Sequence, residues 1–251
     1  MRSRASRLRW LIVAAALLGL ELLCRTGTIS PRTLIAPSAM ALALVELLRA
    51  GKLTADIVKT FSNIALAGVL AVVAGFALGL ALHAAVRVRR ALEPLLASYY
   101  AVPFFVLYPL LVVVFGLNDL PIVAIGFLFG VVAMVIATLA GLDRIPPVLL
   151  KVGHVHRLGA LRMALFVKLP AATPQLFTGL KLSVAYAVIG VIAAEFILSG
   201  GGLGYAIAYA YNNFDNRTMY ALMLLVLAAV TVVNAALHGW ERRVHGRRGA
   251  R

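Results

Sequence analysis

The sequence predicts an all-α membrane protein with about six transmembrane helices. Among its 251 residues, 63% are hydrophobic and 13% are charged, whereas soluble domains are about half apolar and about a quarter charged. The apolar residues form blocks of about 20, the length that crosses a hydrocarbon core of about 30 Å as a helix. These blocks do not alternate apolar with polar residues, which argues against the strands of a membrane barrel.

The first predicted span covers residues 10–24 and follows a start that carries four arginines. A basic stretch before an apolar one also fits a signal peptide, but no small-x-small cleavage site follows closely. Leu23 stands before Cys24, where a lipoprotein would carry a small residue. We therefore expect an uncleaved first helix. Cys24 is the only cysteine, so a disulfide within the chain is excluded.

Between the first two spans, the amphipathic run 40–48 fits a surface or interfacial helix. The second and fourth spans each contain two glycines four residues apart, Gly75 with Gly79 and Gly126 with Gly130, which let helices approach closely. We place the remaining five spans at residues 64–83, 99–115, 121–139, 176–198 and 219–237.

The third span contains Pro103 and Pro109. Each proline removes a backbone donor and is expected to bend or break the helix. In lipid, such a break survives only where it faces protein or a water-filled cavity. The third span therefore either borders a translocation pathway or contains a simple packing kink.

The positive charges predict the orientation of the chain. The net charge is +15, which in a soluble protein would suggest nucleic-acid binding. Here, 17 of the 24 Lys and Arg residues flank the apolar blocks at the two termini, at residues 87–90 and at residues 144–168. The side richer in Lys and Arg faces the cytoplasm. We therefore expect a multi-pass protein of the bacterial inner (plasma) membrane with both termini cytoplasmic, which contacts membrane lipid and no nucleic acid.

Sequence motifs for covalent chemistry are absent. The chain lacks the phosphate-binding loop Gly-x-x-x-x-Gly-Lys-Ser/Thr, and it lacks Gly-x-Ser-x-Gly, His-Glu-x-x-His and Cys-x-x-Cys. His154 and His156 are two residues apart and would not share a helix face, so we expect no metal site and no cofactor bound by this chain. An enzyme active site within the membrane is disfavoured, because no nucleophile is paired with a base.

The longest connection predicted on the cytoplasmic side runs from residue 143 to residue 174. Loops of this length are uncommon unless they have structure and a function. Residues 153–166 have the pattern of a basic amphipathic helix. Periodicity alone leaves two interpretations open, a helix that docks on a partner or a helix that rests on anionic lipid headgroups.

Residues 150–194, LLKVGHVHRLGALRMALFVKLPAATPQLFTGLKLSVAYAVIGVIAA, resemble the signature region of ABC importer permeases. In that family, the pattern Glu-Ala-Ala, three residues, Gly, nine residues, Ile-x-Leu-Pro docks into a groove on the ATPase subunit. Anchoring the pattern on Leu169 and Pro170 places Val167 at the Ile position. The downstream half of the motif therefore matches.

The upstream half of the motif departs from the family pattern. Lys151, Val152 and Gly153 stand where the family has Glu-Ala-Ala, and Lys151 reverses the usual charge. Arg157 stands at the glycine position, although Gly159 lies two residues on. We retain all of these residues as the predicted ATPase-coupling loop.

The resemblance extends over residues 60–240 and is closest to the nitrate/sulfonate/taurine branch of these permeases. The residues that carry it, in order, are Glu93-Pro94, Ala101-Val102-Pro103, Tyr108-Pro109-Leu110, Val114-Phe115-Gly116-Leu117, Thr178-Gly179-Leu180, Glu195, and Gly201-Gly202-Leu203-Gly204-Tyr205.

The resemblance implies the fold of type I ABC importer permeases and the role of permease subunit in an ATP-driven importer. Two copies of the chain would line one pathway, and a solute-binding protein would deliver the substrate. Two ABC ATPase subunits, which hold ATP and magnesium, would bind the cytoplasmic loops. The transported solute would be small: a sulfonate, nitrate, taurine or a vitamin precursor. The chain itself would catalyse no reaction.

Glu195 is the one acidic residue well inside a late span. Ionisable groups there are costly and usually face a cavity or a partner, so Glu195 either lines or braces an outer gate, or it snorkels to the outer interface. Gly200 to Gly204 permit a tight turn with positive φ, and residues 205–211 then form a short helix that contacts the binding protein or a plain loop. The predicted pathway and gate residues are Pro103, Pro109, Glu195, Gly201, Gly202 and Gly204.

The expected organisation is an N-terminal helix with a periplasmic amphipathic segment at 1–59, a core at 60–240 with the coupling loop at 143–174, and a basic cytoplasmic tail at 241–251. Two other functions compete with the importer. A secondary transporter would need further intramembrane charges and an inverted repeat, and neither is evident beyond Glu195. A scaffold that transports nothing is mildly disfavoured by the proline-broken third span.

Overall fold

The computed structural model describes residues 2–30 and 33–246, so residues 247–251 of the predicted basic tail lie outside it. The described residues contain no strand, as expected for a chain whose backbone groups must be satisfied within lipid. Their helices are α1 Arg2–Arg25, α2 Pro37–Arg49, α3 Thr54–Ala84, α4 Val86–Ser98, α5 Tyr108–Phe115, α6 Leu120–Asp143, α7 Pro147–Val155, α8 Ala160–Met163, α9 Leu169–Leu198, α10 Leu203–Asn212 and α11 Asn216–Gly246.

Four described helices are long and apolar enough to cross a membrane: α3, α6, the continuous helix Ala160–Leu198 and α11. A fifth candidate is the bent pair Val86–Ala101 and Phe104–Phe115. These five correspond to the second to sixth predicted spans. The first predicted span forms the 24-residue helix α1, which is not among them because any stretch of it long enough to cross a bilayer holds at least three charged residues.

Helix α6 lies at the centre of the bundle, between α3 and α9. The predicted glycine pair of α3 forms one of its contacts: a Cβ built on Gly75 would lie 2.7 Å from Cβ of Met134, and one on Gly79 would lie 2.6 Å from Cβ of Thr138. The rising residue numbers on both helices show that α3 and α6 run parallel. The predicted close approach at these glycines is confirmed.

The second predicted glycine pair joins α6 to α9. A Cβ built on Gly126 would lie 2.6 Å from Cγ2 of Val191, and one on Gly130 would lie 2.7 Å from the carbonyl oxygen of Ser183. Residue numbers rise on α6 while they fall on α9, so these two helices are antiparallel. Small residues on one helix thus allow the larger side chains of the next helix to fill the interface.

We call the end of the bundle that carries the long loop 144–168 the loop end, and the opposite end the far end. At the loop end, α3 and α6 finish, and the segment 144–168 leads into α9. At the far end, α3 and α6 begin and α9 finishes. There, an ion pair of 2.8 Å between Lys59 and Asp119 joins α3 to the start of α6.

At the far end, α2 packs beside the start of α11, and α1 packs on α2. Ser38 donates from its backbone N–H to Glu21 at 3.0 Å, which ties α2 to the end of α1. Arg217 of α11 forms a 2.7 Å ion pair with Glu46 of α2. The predicted amphipathic run 40–48 is therefore confirmed as a helix, and Leu42 on it is exposed.

Candidate functional site

The third span is a bent pair of helices, Val86–Ala101 and Phe104–Phe115, which meet at 93°. It begins well before residue 99, where the sequence predicts its start, because the basic residues of α4 indicate a turn rather than part of a span. Its first half, α4, continues through the short 3-10 turn Tyr99–Ala101 and stops before Pro103, where the prediction of a break is confirmed. The prediction is wrong for Pro109, which lies in the first turn of α5. A proline there interrupts nothing, because the first turn of a helix has no use for its N–H.

Two tyrosines tie the halves of the broken span to different helices. The hydroxyl of Tyr99 donates to the carbonyl oxygen of Leu128 in α6 at 2.9 Å. The hydroxyl of Tyr108 donates to the carbonyl oxygen of Leu198, at the end of α9, at 2.9 Å. Neither contact was predictable from the sequence, where the only signal was a polar aromatic residue inside an apolar block.

A cavity of about 410 Å³ lies between α6 and α9, on the side of the broken span. At one end of it, the rings of Tyr100 and Tyr186 stack with centroids 4.9 Å apart. Gln175 and Thr178 contribute polar groups along α9, and Arg144 is the only charged residue among the described residues that line it. Sequence reasoning missed this cavity, because its wall comes from three separate segments of the chain.

Glu195 is completely buried near the far end, so the alternative in which it snorkels to the interface is excluded. Its carboxylate accepts hydrogen bonds from Thr60 Oγ1 at 2.7 Å, from Asn63 Nδ2 at 3.5 Å and from the backbone N–H of Gly204 at 3.1 Å. Thr60 in turn accepts from the backbone N–H of Leu203 at 2.7 Å. The carboxylate therefore braces the start of α10 against α3.

The predicted turn with positive φ lies at Gly202, which has φ +99°. A Cβ on Gly202 would lie 2.5 Å from the Glu195 carboxyl carbon, and one on Gly204 would lie 2.4 Å from the carbonyl oxygen of Ile192. Gly201 differs, because the nearest atom to its Cβ would be 3.4 Å away. Gly202 and Gly204 are thus required by close packing around Glu195. The turn leads into α10, so the plain-loop alternative for residues 205–211 is wrong.

The coupling loop does not contain the single helix predicted at 153–166. Helix α7 ends at Val155, and α8 begins only at Ala160. Between them, Arg157 adopts φ +50°, and Leu158 donates its N–H to the carbonyl oxygen of Gly153 at 3.0 Å. This is the hydrogen bond of a helix C-terminus closed by a left-handed residue. Periodicity missed it, because apolar residues recur at similar spacing on both sides of the turn.

The left-handed conformation of Arg157 gives a physical reason for the family's preference at this position. Glycine adopts positive φ without the steric cost that a side chain carries, and Arg157 occupies the place where the family has glycine. Gly159 does not take over this role, because its φ is −64°. Gly153 has a different role: a Cβ there would lie 2.5 Å from Cε of Met163, so the glycine lets α7 pack on α8.

The outer surface of the coupling loop is apolar and uncovered. Val155, Leu161 and Phe166 are all more than 70% exposed. Among the other predicted loop residues, Lys151 and Val152 are exposed, whereas Val167, Leu169 and Pro170 are half-buried. The last three lie where a π-helical turn, Ala164–Lys168, joins α8 to α9.

Comparison with known proteins places this chain in a family. Residues 69–248 match the model described as "Binding-protein-dependent transport system inner membrane component". The nitrate import permease protein NrtB of Leptolyngbya laminosa is 28% identical over 180 residues, which are 72% of this chain and 64% of that protein. The chain thus spans less than two thirds of that relative.

For two further relatives, the match with this chain covers a larger share of the relative's length. The taurine transport system permease protein TauC of Escherichia coli K12 is 27% identical over 187 residues, which are 74% of this chain and 67% of that protein. A probable ABC transporter permease protein of Brucella melitensis is 28% identical over 247 residues, which are 94% of this chain and 95% of that protein.

Solved structures of similar fold include two crystal forms of the MetNI methionine ABC transporter, described as inward facing. Their TM-scores are 0.65 and 0.68, at 19% and 18% identity, and each covers 76% of this chain and 95% of that chain. These values confirm the fold expected from the sequence. With a family model that matches well over half of its residues, the chain belongs to the binding-protein-dependent transport system inner membrane components, the permeases of ABC importers.

Proposed function

We propose that this chain forms the membrane pathway of an ATP-driven importer for a small solute. The observation that carries the proposal is the third span, whose 93° break places Tyr100 at the end of a cavity between two central helices. A broken helix with polar residues beside a cavity is what a passage through lipid requires.

The coupling loop fits the partner that its family resemblance implies. Its exposed apolar residues, with Lys151 and Arg157 beside them, form a surface suited to an ABC ATPase subunit that holds ATP and magnesium. We propose that a second copy of the chain completes the pathway and that a solute-binding protein delivers the solute at the far end. The chain itself has no ATPase role.

The solute is proposed from the relatives. Proteins similar to this chain are named for nitrate, taurine, aliphatic sulfonates and riboflavin. We propose a sulfonate, nitrate, taurine or a vitamin precursor, with the binding protein as the subunit that selects among them. The lone arginine on the cavity wall is compatible with the anionic members of this group.

We further propose that the loop end faces the cytoplasm and that both termini lie there. Helix α1 ends, and α11 begins, at the far end of the bundle, which supports this orientation. The division into an N-terminal segment 1–59, a core 60–240 and a basic tail 241–251 belongs to the same proposal.

Affinity purification of the tagged protein from its native membranes in mild detergent tests the proposal. Mass spectrometry is expected to identify an ABC ATPase that is lost when residues 151–166 are scrambled. A matched control replaces the exposed Tyr211 and Phe214 at the far end by serine, which should leave the ATPase bound. Repeated recovery of the chain alone, in good yield, would instead support a secondary transporter or a scaffold.

A further inference from the structure

Asp143 joins three helices at the loop end. It is the last residue of α6 and therefore the residue from which the coupling loop departs. Arg89 of α4 donates to both carboxylate oxygens of Asp143, from Nη1 at 2.9 Å and from Nη2 at 2.6 Å. His83, in the last turn of α3, places Nε2 3.6 Å from the same carboxylate. A two-point contact of this kind fixes the relative orientation of its partners as well as their distance.

Helix α4 is otherwise loosely held. All of its residues are described, and none of them is buried. A cavity of about 280 Å³ separates it from α6, with Glu93 and Leu96 on one wall and Ile136 and Leu139 on the other. Tightly packed helices leave few voids of this size. The structure therefore leaves α4 room to move relative to α6.

Two polar contacts fasten α4 and the turn after it to α6, one near each end, and Leu96 also packs against the cluster of Ala71, Val131 and Val132. The Arg89–Asp143 pair lies at the loop end, and the hydrogen bond from Tyr99 to the Leu128 carbonyl oxygen lies just beyond Ser98, where α4 finishes. The next residue, Tyr100, stacks on Tyr186 at the end of the larger cavity. A helix of this length spans about 16 Å between residues 89 and 100, so α4 links the coupling loop to the break in the third span.

We propose that the Arg89–Asp143 ion pair is a positioning pair that transmits movement of the coupling loop to the broken third span. The inference rests on the proposed function, because the movement originates in an ATPase bound to that loop. When the loop shifts, Asp143 moves with it, and the two-point contact carries α4 along. The Tyr100–Tyr186 contact at the cavity then changes.

Because the Arg89–Asp143 pair is partly exposed, its role in transmitting movement can be tested separately from any role in folding stability. The side chains of Arg89 and Asp143 are 27% and 40% exposed, and exposed ion pairs contribute little to folding stability. Removing the pair is therefore expected to leave the fold and the ATPase association intact. Its loss should appear in the response of α4 to nucleotide.

The test uses the complex with its ATPase, purified from native membranes and placed in lipid nanodiscs. In a Cys24→Ser background, an environment-sensitive bimane label is attached at Leu95→Cys on α4 or at Val148→Cys on α7, both exposed positions. Magnesium ATP is the probe. In the otherwise unaltered chain, bimane emission is expected to change at both positions.

Three single substitutions of the pair, one double substitution and one control then decide the question. With Arg89→Gln or Asp143→Asn, the emission change at position 148 is expected to persist and the change at position 95 to be lost. Arg89→Lys, which keeps the charge but not the two-point contact, should restore the response at 95 only in part. The double substitution should lose no more than either single one, as for two groups that act through one contact. Arg87→Gln removes the same charge from the same helix and should change neither signal.

The proposal is overturned if the signal at position 95 survives both single substitutions, or if Arg87→Gln removes it equally. It is also overturned if both signals disappear together with the bound ATPase, because the pair would then hold the loop's fold. Failure of the proposed function is distinguishable from these outcomes, since no ATPase would then be recovered with the unaltered chain.

Discussion

Glu195 at the far end of this bundle and Asp143 at the loop end both join helices through a carboxylate, but in different surroundings. At the far end, Glu195 is fully buried, and its carboxylate accepts hydrogen bonds from Thr60, Asn63 and the N–H of Gly204. At the loop end, Asp143 is 40% exposed and pairs across a cavity. A satisfied buried network specifies one arrangement, whereas an exposed pair holds its helices less tightly. We infer that the far end keeps the helices together and that movement enters at the loop end.

Glycine substitutions give the largest expected difference between the two ends. Gly204→Ala would push a methyl group against the carbonyl oxygen of Ile192, and overpacking against backbone should cost about 3 kcal/mol, the upper end of the usual range. Gly159→Ala at the loop end meets nothing within 4 Å and is expected to leave stability unchanged. Thermal unfolding in detergent, followed by size-exclusion chromatography, measures both. Similar midpoints for the two variants would contradict the comparison.

The buried carboxylate gives the next effect. Glu195→Ala would leave the Thr60 hydroxyl, the Asn63 amide and the Gly204 N–H without their acceptor. Leaving buried groups of this kind unsatisfied costs about 1–3 kcal/mol, so the unfolding midpoint should fall clearly. Asp143→Ala at the loop end is the matched control and should lower it much less.

The role of Glu195 in a gate is a separate question from its role in stability. Glu195→Gln keeps the side-chain volume and weakens the bracing of α10, so we expect transport per ATP hydrolysed to fall in reconstituted vesicles. If transport and its coupling to ATP were unchanged in a well-folded Glu195→Gln protein, the gate assignment would be wrong.

A smaller effect is expected from the tyrosines that hold the broken span. Tyr108→Phe removes one hydrogen bond to the end of α9, and Tyr99→Phe removes one to α6. Each change should cost about 1 kcal/mol. Because Tyr99 fastens the loosely packed half, Tyr99→Phe is expected to raise proteolysis within α4, and Tyr108→Phe is not. Equal cleavage within α4 in the two variants would show that both halves of the third span are held equally tightly.

The smallest expected effect is a gain in stability. Arg157 at φ +50° and Phe214 at φ +56° are the two described residues other than glycine in the left-handed region. Replacing either by glycine relieves strain of about 1 kcal/mol. Arg157→Gly should also retain ATPase binding, since it restores the family residue. A drop in stability at both sites would show that these side chains contribute contacts that outweigh the strain.

Composition and periodicity predicted the helical spans, because lipid imposes length and apolarity on each span separately. They also predicted the break at Pro103 and the turn at Gly202, because both depend on the residue type at one position. The turn at Arg157 was missed, since nothing local marks an arginine as left-handed. The only signal in the sequence was that the resembling motif has glycine at this position. That glycine could be explained only once the φ angle of Arg157 was known.

Contacts across the chain were beyond sequence reasoning. Glu195 was identified as a costly group, but its partner Thr60 is 135 residues away. The hydrogen bond from Tyr108 to Leu198 bridges 90 residues, and Arg89 and Asp143 were read only as charges at the ends of spans. Pairing of such groups depends on how the helices pack, which no single apolar block encodes.

Photocross-linking at one exposed residue of each end tests the central claim most directly. A benzophenone amino acid replaces Leu161, which is 73% exposed on the coupling loop, or Phe214, which is 90% exposed at the far end. Irradiation of native membranes is expected to join position 161, and not position 214, to an ABC ATPase. Capture of lipid alone at position 161, or of the same protein from both positions, would contradict the account.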